Sequence, residues 1–243
     1  MIGLGTLGNI ALILIGSTIG MIIKGGLKQR FQETIMSGLG LAVMFIGISG
    51  ALEGLLIISD GKIVSRNIML MIVSLAIGGF IGEAINIEAR LDRIGEWLKK
   101  KLKINKEKDE CFVEGFVNSS LLFCVGAMAL IGSLRDGLSA DSSMLLAKGV
   151  IDGVTAIFFA STLGIGVFFS VIPVGIYQGI ITLAARYVEP LLNERLIGNL
   201  SFVGSILIFA IGINMIFGKK IKTGNLLPAI LVPIAYEIIM NLY

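Results

Sequence analysis

The 243-residue sequence predicts an all-α polytopic membrane protein of about eight transmembrane helices. Three observations predict it. Hydrophobic residues make up 55% of the chain and charged ones only 15%, against roughly 25% charged in ordinary soluble domains; the mean hydropathy is +0.93. Apolar runs of about 20 residues, the length of one bilayer crossing, recur along nearly the whole chain. Lysine and arginine collect between those runs, alternating from loop to loop.

The first run follows "MIGLGTLGN" and precedes Lys24, Lys28 and Arg30. It lacks a positive leading region and a small-residue cleavage site, so it reads as a first transmembrane helix with an outside N-terminus, not a removed signal peptide. Candidate spans then cover 3–23, 35–58, 68–85, 117–134, 145–163, 166–187, 200–217 and 226–243. The fifth and sixth are separated only by "TLGIG", and forty-odd apolar residues exceed one crossing, so a tight turn is expected there. In or beside the odd loops lie 14 Lys/Arg, against 5 for the even loops. That bias predicts odd loops in the cytoplasm and both termini outside, in a bacterial cytoplasmic membrane.

Loop three, "IEARLDRIGEWLKKKLKINKEKDE", places Leu91, Ile94, Leu98 and Leu102 at helical spacing with Trp97 beside them and Lys/Arg around the rest. It is expected to form an amphipathic helix on the cytoplasmic leaflet. Its simplest role is anchoring; recruitment of a partner or of anionic lipid is the alternative.

An internal repeat is also legible. "TLGNIALILIGSTIG" from Thr6 resembles "TLGIGVFFSVIPVG" from Thr162, Ile46-Gly47-Ile48 matches Ile211-Gly212-Ile213, and Asn67 matches Asn225. Three consecutive spans recur five spans later; five is odd, so the second copy would be inverted, as in many secondary transporters. Glycine-rich helices aligning by composition are the competing explanation. The chain is thus expected to be one integral membrane domain, with a first repeat at 3–86, the amphipathic helix and loop at 87–110, two extra spans at 112–163 and a second repeat at 164–243. GxxxG pairs such as Gly16/Gly20, Gly149/Gly153 and Gly175/Gly179 predict close helix packing and allow a homodimer.

Polar residues inside apolar runs are the candidate site. Lys148 and Asp152 are spaced to pair along one helix face. Lys148 could also snorkel to the outer surface. Asp152 is too deep and too short for that, and an unpaired aspartate at mid-bilayer costs roughly 3 kcal/mol. It therefore needs a partner or a wet cavity. Tyr177, Gln178, Asn118 and Asn9 are expected to line that cavity, with Glu237 inside span eight as a further candidate; each could equally make a simple interhelical hydrogen bond. Pro173, Pro228 and Pro233 predict kinks or breaks. Glu53, Glu83, Glu114, Arg135 and Asp136 fall at span ends and read as interfacial.

The chain has no histidine and two cysteines, Cys111 and Cys124, without metal-ligand spacing. Together with the lack of any nucleophile–base, P-loop or HExxH pattern, this argues against an enzyme, a metal site or a cofactor. The charge lies in loops as topology signal, which argues against nucleic-acid binding.

The stretches "GTLGN", "IEARLDRIGEWLKKK", "FVEGFVNSSLLFCVGAMALIGSLRDGL", "LLAKGVIDGVTAIFFASTLGIGVFFSVIPVGIYQGIITL" and "GNLLPA" together resemble the YqgA/YdfK-like bacterial membrane family, the domain of unknown function 554. Where that family typically has "GTLVN", this chain has Gly8 before Asn9. The resemblance implies a multi-span bacterial membrane protein and no agreed substrate. The residues themselves point first to a small secondary transporter, moving an ion or small polar solute coupled to H⁺ or Na⁺ around Asp152. A pore formed by a homo-oligomer and a non-transporting scaffold or sensor are the rivals.

Overall fold

The computed structural model describes residues 1–25, 28–59, 61–101, 111–188 and 193–242. It is built of helices α1 (Leu4–Lys24), α2 (Gln29–Leu55), α3 (Ile68–Ile85), α4 (Ile87–Lys101), α5 (Phe112–Cys124), α6 (Ala127–Ser139), α7 (Ser143–Leu163), α8 (Gly166–Phe169), α9 (Val171–Val188), α10 (Glu194–Phe217), α11 (Thr223–Leu226) and α12 (Leu231–Leu242). A short antiparallel hairpin, β1 (Leu56–Ser59) and β2 (Lys62–Ser65), follows α2, pairing Leu56 with Ser65 and Ser59 with Lys62.

Among the described residues six helices are long and apolar enough to cross a membrane: α1, α2, α3, α7, the stretch Gly166–Tyr187, and α10. The bent pair α5–α6 makes a seventh if it counts as one span. The sequence predicts eight, and the difference lies at two breaks. Expected span 117–134 is interrupted at Gly126, whose φ of 130° and ψ of 151° are open only to glycine, and the axis turns by 62°. Expected span 226–243 is divided into α11, a 3₁₀ turn at Leu227–Ile230 and α12. The prolines sit at these boundaries instead of kinking long helices: Pro228 lies in the 3₁₀ turn, and Pro173 and Pro233 fall in the first turns of α9 and α12. There the missing N–H has no helical acceptor to lose.

The chain divides into two compact units. Unit 1 comprises residues 1–39 and 91–191, and unit 2 comprises 40–90 and 192–243. Within unit 1, α1 lies along α7 on a seam of small residues. A Cβ added at Gly16 would stand 2.0 Å from the Gly153 carbonyl oxygen, and one at Gly20 would stand 2.2 Å from that of Ile157. The backbones touch because no side chain separates them. Contacts advance together along the two helices, from Gly5 on Leu145 to Gly20 on Ile157, so α1 and α7 run parallel. In unit 2, Gly40, Gly47 and Gly54 of α2 meet Ile216, Phe209 and Phe202 of α10, an antiparallel packing. Gly78 and Gly82 of α3 rest on Ala229 and Asn225. Phe202, Val203 and Ala229 form a buried cluster with Ala51, Leu55, Met71 and Leu75 packed against it.

The amphipathic helix expected in loop three is α4. Ile94 and Trp97 are exposed on it at 48% and 56%, Gly95 packs toward Val113, and Lys101 sits 4.7 Å from the Trp97 ring centre. An apolar pair turned outward beside a lysine-rich last turn suits the membrane interface. Leu102 and the loop at 102–110 lie outside the described residues.

Candidate functional site

The site is built in unit 1 around α7. Four residues of helix place Lys148 and Asp152 on the same side, and they form an ion pair with both residues 6% exposed. Lys148 therefore turns inward, and the snorkelling alternative does not apply. Room for the pair comes from the neighbouring glycines. Gly149 lets the backbone of Asn9 approach, and Gly153 lets that of Leu12 approach. Asn9, fully buried on α1, presents its amide to the Asp152 carboxylate without reaching hydrogen-bond geometry, and among the described residues neither of its polar atoms has a partner.

The break between α5 and α6 reaches the same place. Cys124, the last residue of α5, lies within electrostatic reach of both Lys148 and Asp152, and Tyr177 of α9 within reach of Cys124. Gln178, next to Tyr177, is fully buried, and neither its oxygen nor its nitrogen has a hydrogen-bond partner among the described residues. Asn118 is buried on α5 at 8% exposure, beside Ser119, whose hydroxyl also has no partner among the described residues. Asp152, Lys148 and Asn9 thus come together where α1 meets α7, while Tyr177, Gln178 and Asn118 lie on α9 and α5, which pack around that place.

Glu237 is not part of this group. It belongs to unit 2, is 4% exposed, and accepts a hydrogen bond from the Asn193 amide at the start of α10. That partner comes from 44 positions away in the chain. Asn214 is also in unit 2 and is structural: its carbonyl accepts the Lys220 and Ile221 N–H groups and its amide reaches the Ile221 carbonyl. Glu88, Asn225, Glu83 and Lys222 form a similarly satisfied network that ties α11 to α3 and the start of α4.

Asp136 lies near the end of α6, as its place at a span end predicts, but it is enclosed by protein there and fully buried. One carboxylate oxygen accepts the Gly5 N–H at 3.1 Å, where the first turn of α1 has donors without helical acceptors and the positive end of its dipole. The other oxygen has no partner among the described residues. A second buried carboxylate therefore faces the same helix as Asp152. The signal was the "RDG" of "SLRDGL": Gly137 brings α6 against the Thr182 carbonyl of α9, which encloses the aspartate beside it.

The family described as "Protein of unknown function (DUF554)" matches residues 4–238. The chain belongs to the DUF554 family. It is similar to the "Uncharacterized membrane protein YdfK" of Bacillus subtilis, with 37% identity over 94% of this chain and 93% of the relative. It is also similar to the "Uncharacterized protein YqgA" of Escherichia coli, with 29% identity over 92% of this chain and 91% of that protein. No solved structure matches. The family supports the membrane assignment through YdfK's description and leaves the chemistry of the DUF554 chain to the residues just described.

Proposed function

We propose that this membrane protein is a small secondary transporter, carrying an ion or small polar solute with H⁺ or Na⁺ through unit 1, with Asp152 as the coupling carboxylate and Lys148 as its counter-charge. One observation carries the reading. Among the described residues eleven buried side-chain polar atoms lack a protein partner, and nine of them lie in unit 1: on Thr6, Asn9, Ser17, Ser119, Asp136, Gln178 and Thr182. At about 1–3 kcal/mol for each unsatisfied atom, nine would cost on the order of 10–25 kcal/mol, a size comparable with the whole net stability of a domain. Such a set is suited to meeting water, an ion or a solute during the working cycle. The atoms are mostly hard oxygens, suited to Na⁺ or to proton transfer through water.

The break at Gly126 supports the same reading, because discontinuous helices border midplane sites in transporters. So does one part of the inverted repeat. Gly47 packs on Phe209, and its counterpart Gly212 packs on Met44; Phe209 and Met44 stand at equal offsets before the two matched glycines. A reciprocal contact of this kind suits antiparallel repeats about a local two-fold axis. The match from Thr6 and Thr162 receives no such support, since Thr6 opens α1 while Thr162 closes α7.

The parallel run of α1 and α7 favours an odd number of crossings between them, hence a bent α5–α6 that spans. With α11–α12 as a final crossing this makes eight spans in a bacterial cytoplasmic membrane, with both termini outside as the loop charges favour. The closed ion pair favours a second reading, a non-transporting scaffold, and the test separates the two. Asp152→Cys, with Cys111 and Cys124 replaced, is treated in membranes with a charged, impermeant thiol reagent from each side. Labelling supports a wet route through unit 1. A folded variant that stays unlabelled from both sides ends the transport reading in favour of the scaffold.

A further inference from the structure

Unit 2 contains a second polar site, independent of Asp152. A cavity of about 400 Å³ opens between the start of α3 and the start of α10, lined by Arg66, Asn67, Glu194, Arg195, Asn199 and Tyr236. A second, apolar cavity of about 290 Å³ adjoins it, sharing Asn67 and Tyr236 and continuing over Met69, Leu70, Val73 and Val232. From this pairing we infer that unit 2 binds a phospholipid, its phosphodiester among Arg66, Arg195 and Asn199 and an acyl chain in the groove between α3 and α12.

The polar half is arranged for an anion. Asn67 and Asn193 are the residues before the first turns of α3 and α10, so two helix N-termini, each with a partial positive charge, lie at its wall. Arg66 is held there by donating from Nε and Nη2 to the Gly54 and Glu53 carbonyls at the end of α2, which leaves Nη1 for a ligand. Arg195 has an exposed guanidinium at the same cavity. Asn199 is the buried element. It is only 6% exposed, its oxygen takes the Asn67 amide at 3.4 Å, and its own amide nitrogen has no acceptor among the described residues. A buried amide donor lining a cavity beside two guanidinium groups is matched by a phosphate oxygen. Glu194 brings a negative charge to the same wall, where it accepts from headgroup hydroxyls while the arginines hold the phosphate.

The apolar half extends the site beyond what a free anion fills: Met69, 71% exposed, lines the groove, and inorganic phosphate makes no contact there. Tyr236 and Asn67 line both spaces, where a glycerol ester would join headgroup to chain. Anionic headgroups held in basic pockets between membrane helices follow this physics.

The experiment uses delipidated full-length protein in detergent, titrated with short-chain phosphatidylglycerol, with diacylglycerol of the same chains, and with inorganic phosphate. The readouts are native mass spectrometry and the shift in thermal unfolding. Expected is phosphatidylglycerol binding at least tenfold tighter than diacylglycerol. That binding should weaken about tenfold in Arg195→Gln, which leaves the Arg66 contacts to α2 intact, and likewise in Val73→Trp, which fills the groove. Equal binding of the two lipids, or no effect of Arg195→Gln in a folded variant, overturns the inference. Competition by inorganic phosphate with Val73→Trp silent also overturns it, and would leave a site for a free anion.

Discussion

Replacing Lys148 by methionine keeps the apolar stem of the side chain and removes its ammonium group. The Lys148 and Asp152 side chains are 7% and 9% exposed, so bulk water cannot take over the lost contact in this closed arrangement. Removing one partner of a buried pair costs about 3–5 kcal/mol, because the remaining charge stays desolvated. The Asn9 amide faces that carboxylate, and an intramembrane hydrogen bond from it would recover about 0.6 kcal/mol. Lys148→Met should therefore lose about 2–4 kcal/mol, roughly a 30- to 1,000-fold shift in the unfolding equilibrium. Reversible unfolding by SDS in mixed micelles, followed by circular dichroism, measures it. Adding Asp152→Leu removes the stranded charge as well, and the double variant should return to within about 1 kcal/mol of the parent. A single variant as stable as the parent, or a double variant no better than the single, would refute the low-dielectric pair. The double variant has a further use: under the transport reading it folds yet carries no solute.

Gly16→Ala should destabilise the protein by at least about 1–3 kcal/mol, since its Cβ would lie 2.0 Å from the Gly153 oxygen and force α1 from α7. Gly179→Ala meets no atom within 4 Å and should be neutral or stabilise by about 0.5–1 kcal/mol; the same SDS titration reads both, and equal losses would contradict the seam. Asp136→Ala deletes the buried acceptor of the Gly5 N–H and should cost about 1.5–3 kcal/mol. Asp136→Asn keeps an acceptor oxygen and should cost less, so identical losses would show that the α1 contact is not what matters. Asp141 lies outside the spans, where the Ser143 hydroxyl and backbone N–H, with a smaller contribution from Arg135, hold its carboxyl below the ordinary 3.8. Its folded value being lower than its unfolded one, it stabilises the start of α7 above about pH 4 and stops doing so as pH falls through the folded value. Asp141→Asn should flatten the acid limb of a melting-temperature profile below pH 4; an unchanged limb would remove Asp141 from it.

Local features were readable along the chain because their causes lie within a few residues. The Lys148–Asp152 pair follows from helical spacing, α4 from the pattern of Leu91, Ile94 and Leu98, and the turn between α7 and α9 from a run too long for one crossing. Of the residues matched in the expected repeat, Gly47 and Gly212 make a reciprocal contact between α2 and α10, whereas Thr6 and Thr162 occupy different kinds of element. Hidden in the sequence were the breaks inside two expected spans, at Gly126 and around Pro228. Hydropathy averages over a window and does not register one glycine's φ or the point where a helix divides.

Composition and periodicity by themselves determined the membrane class, the helical architecture and the intramembrane charges, because lipid penalises every unpaired backbone polar group whatever the tertiary arrangement. Only the tertiary structure decided which polar groups are buried together. Asp136 is enclosed because the N-terminus of α1 comes back to it across 131 residues, and Glu237 is paired because Asn193 reaches it across 44. Arg66 and Arg195 share a cavity because α3 and α10 begin at the same place. Each depends on helices packing at glycine contacts, and the partner a glycine meets is chosen by the whole bundle, not by its neighbours in sequence.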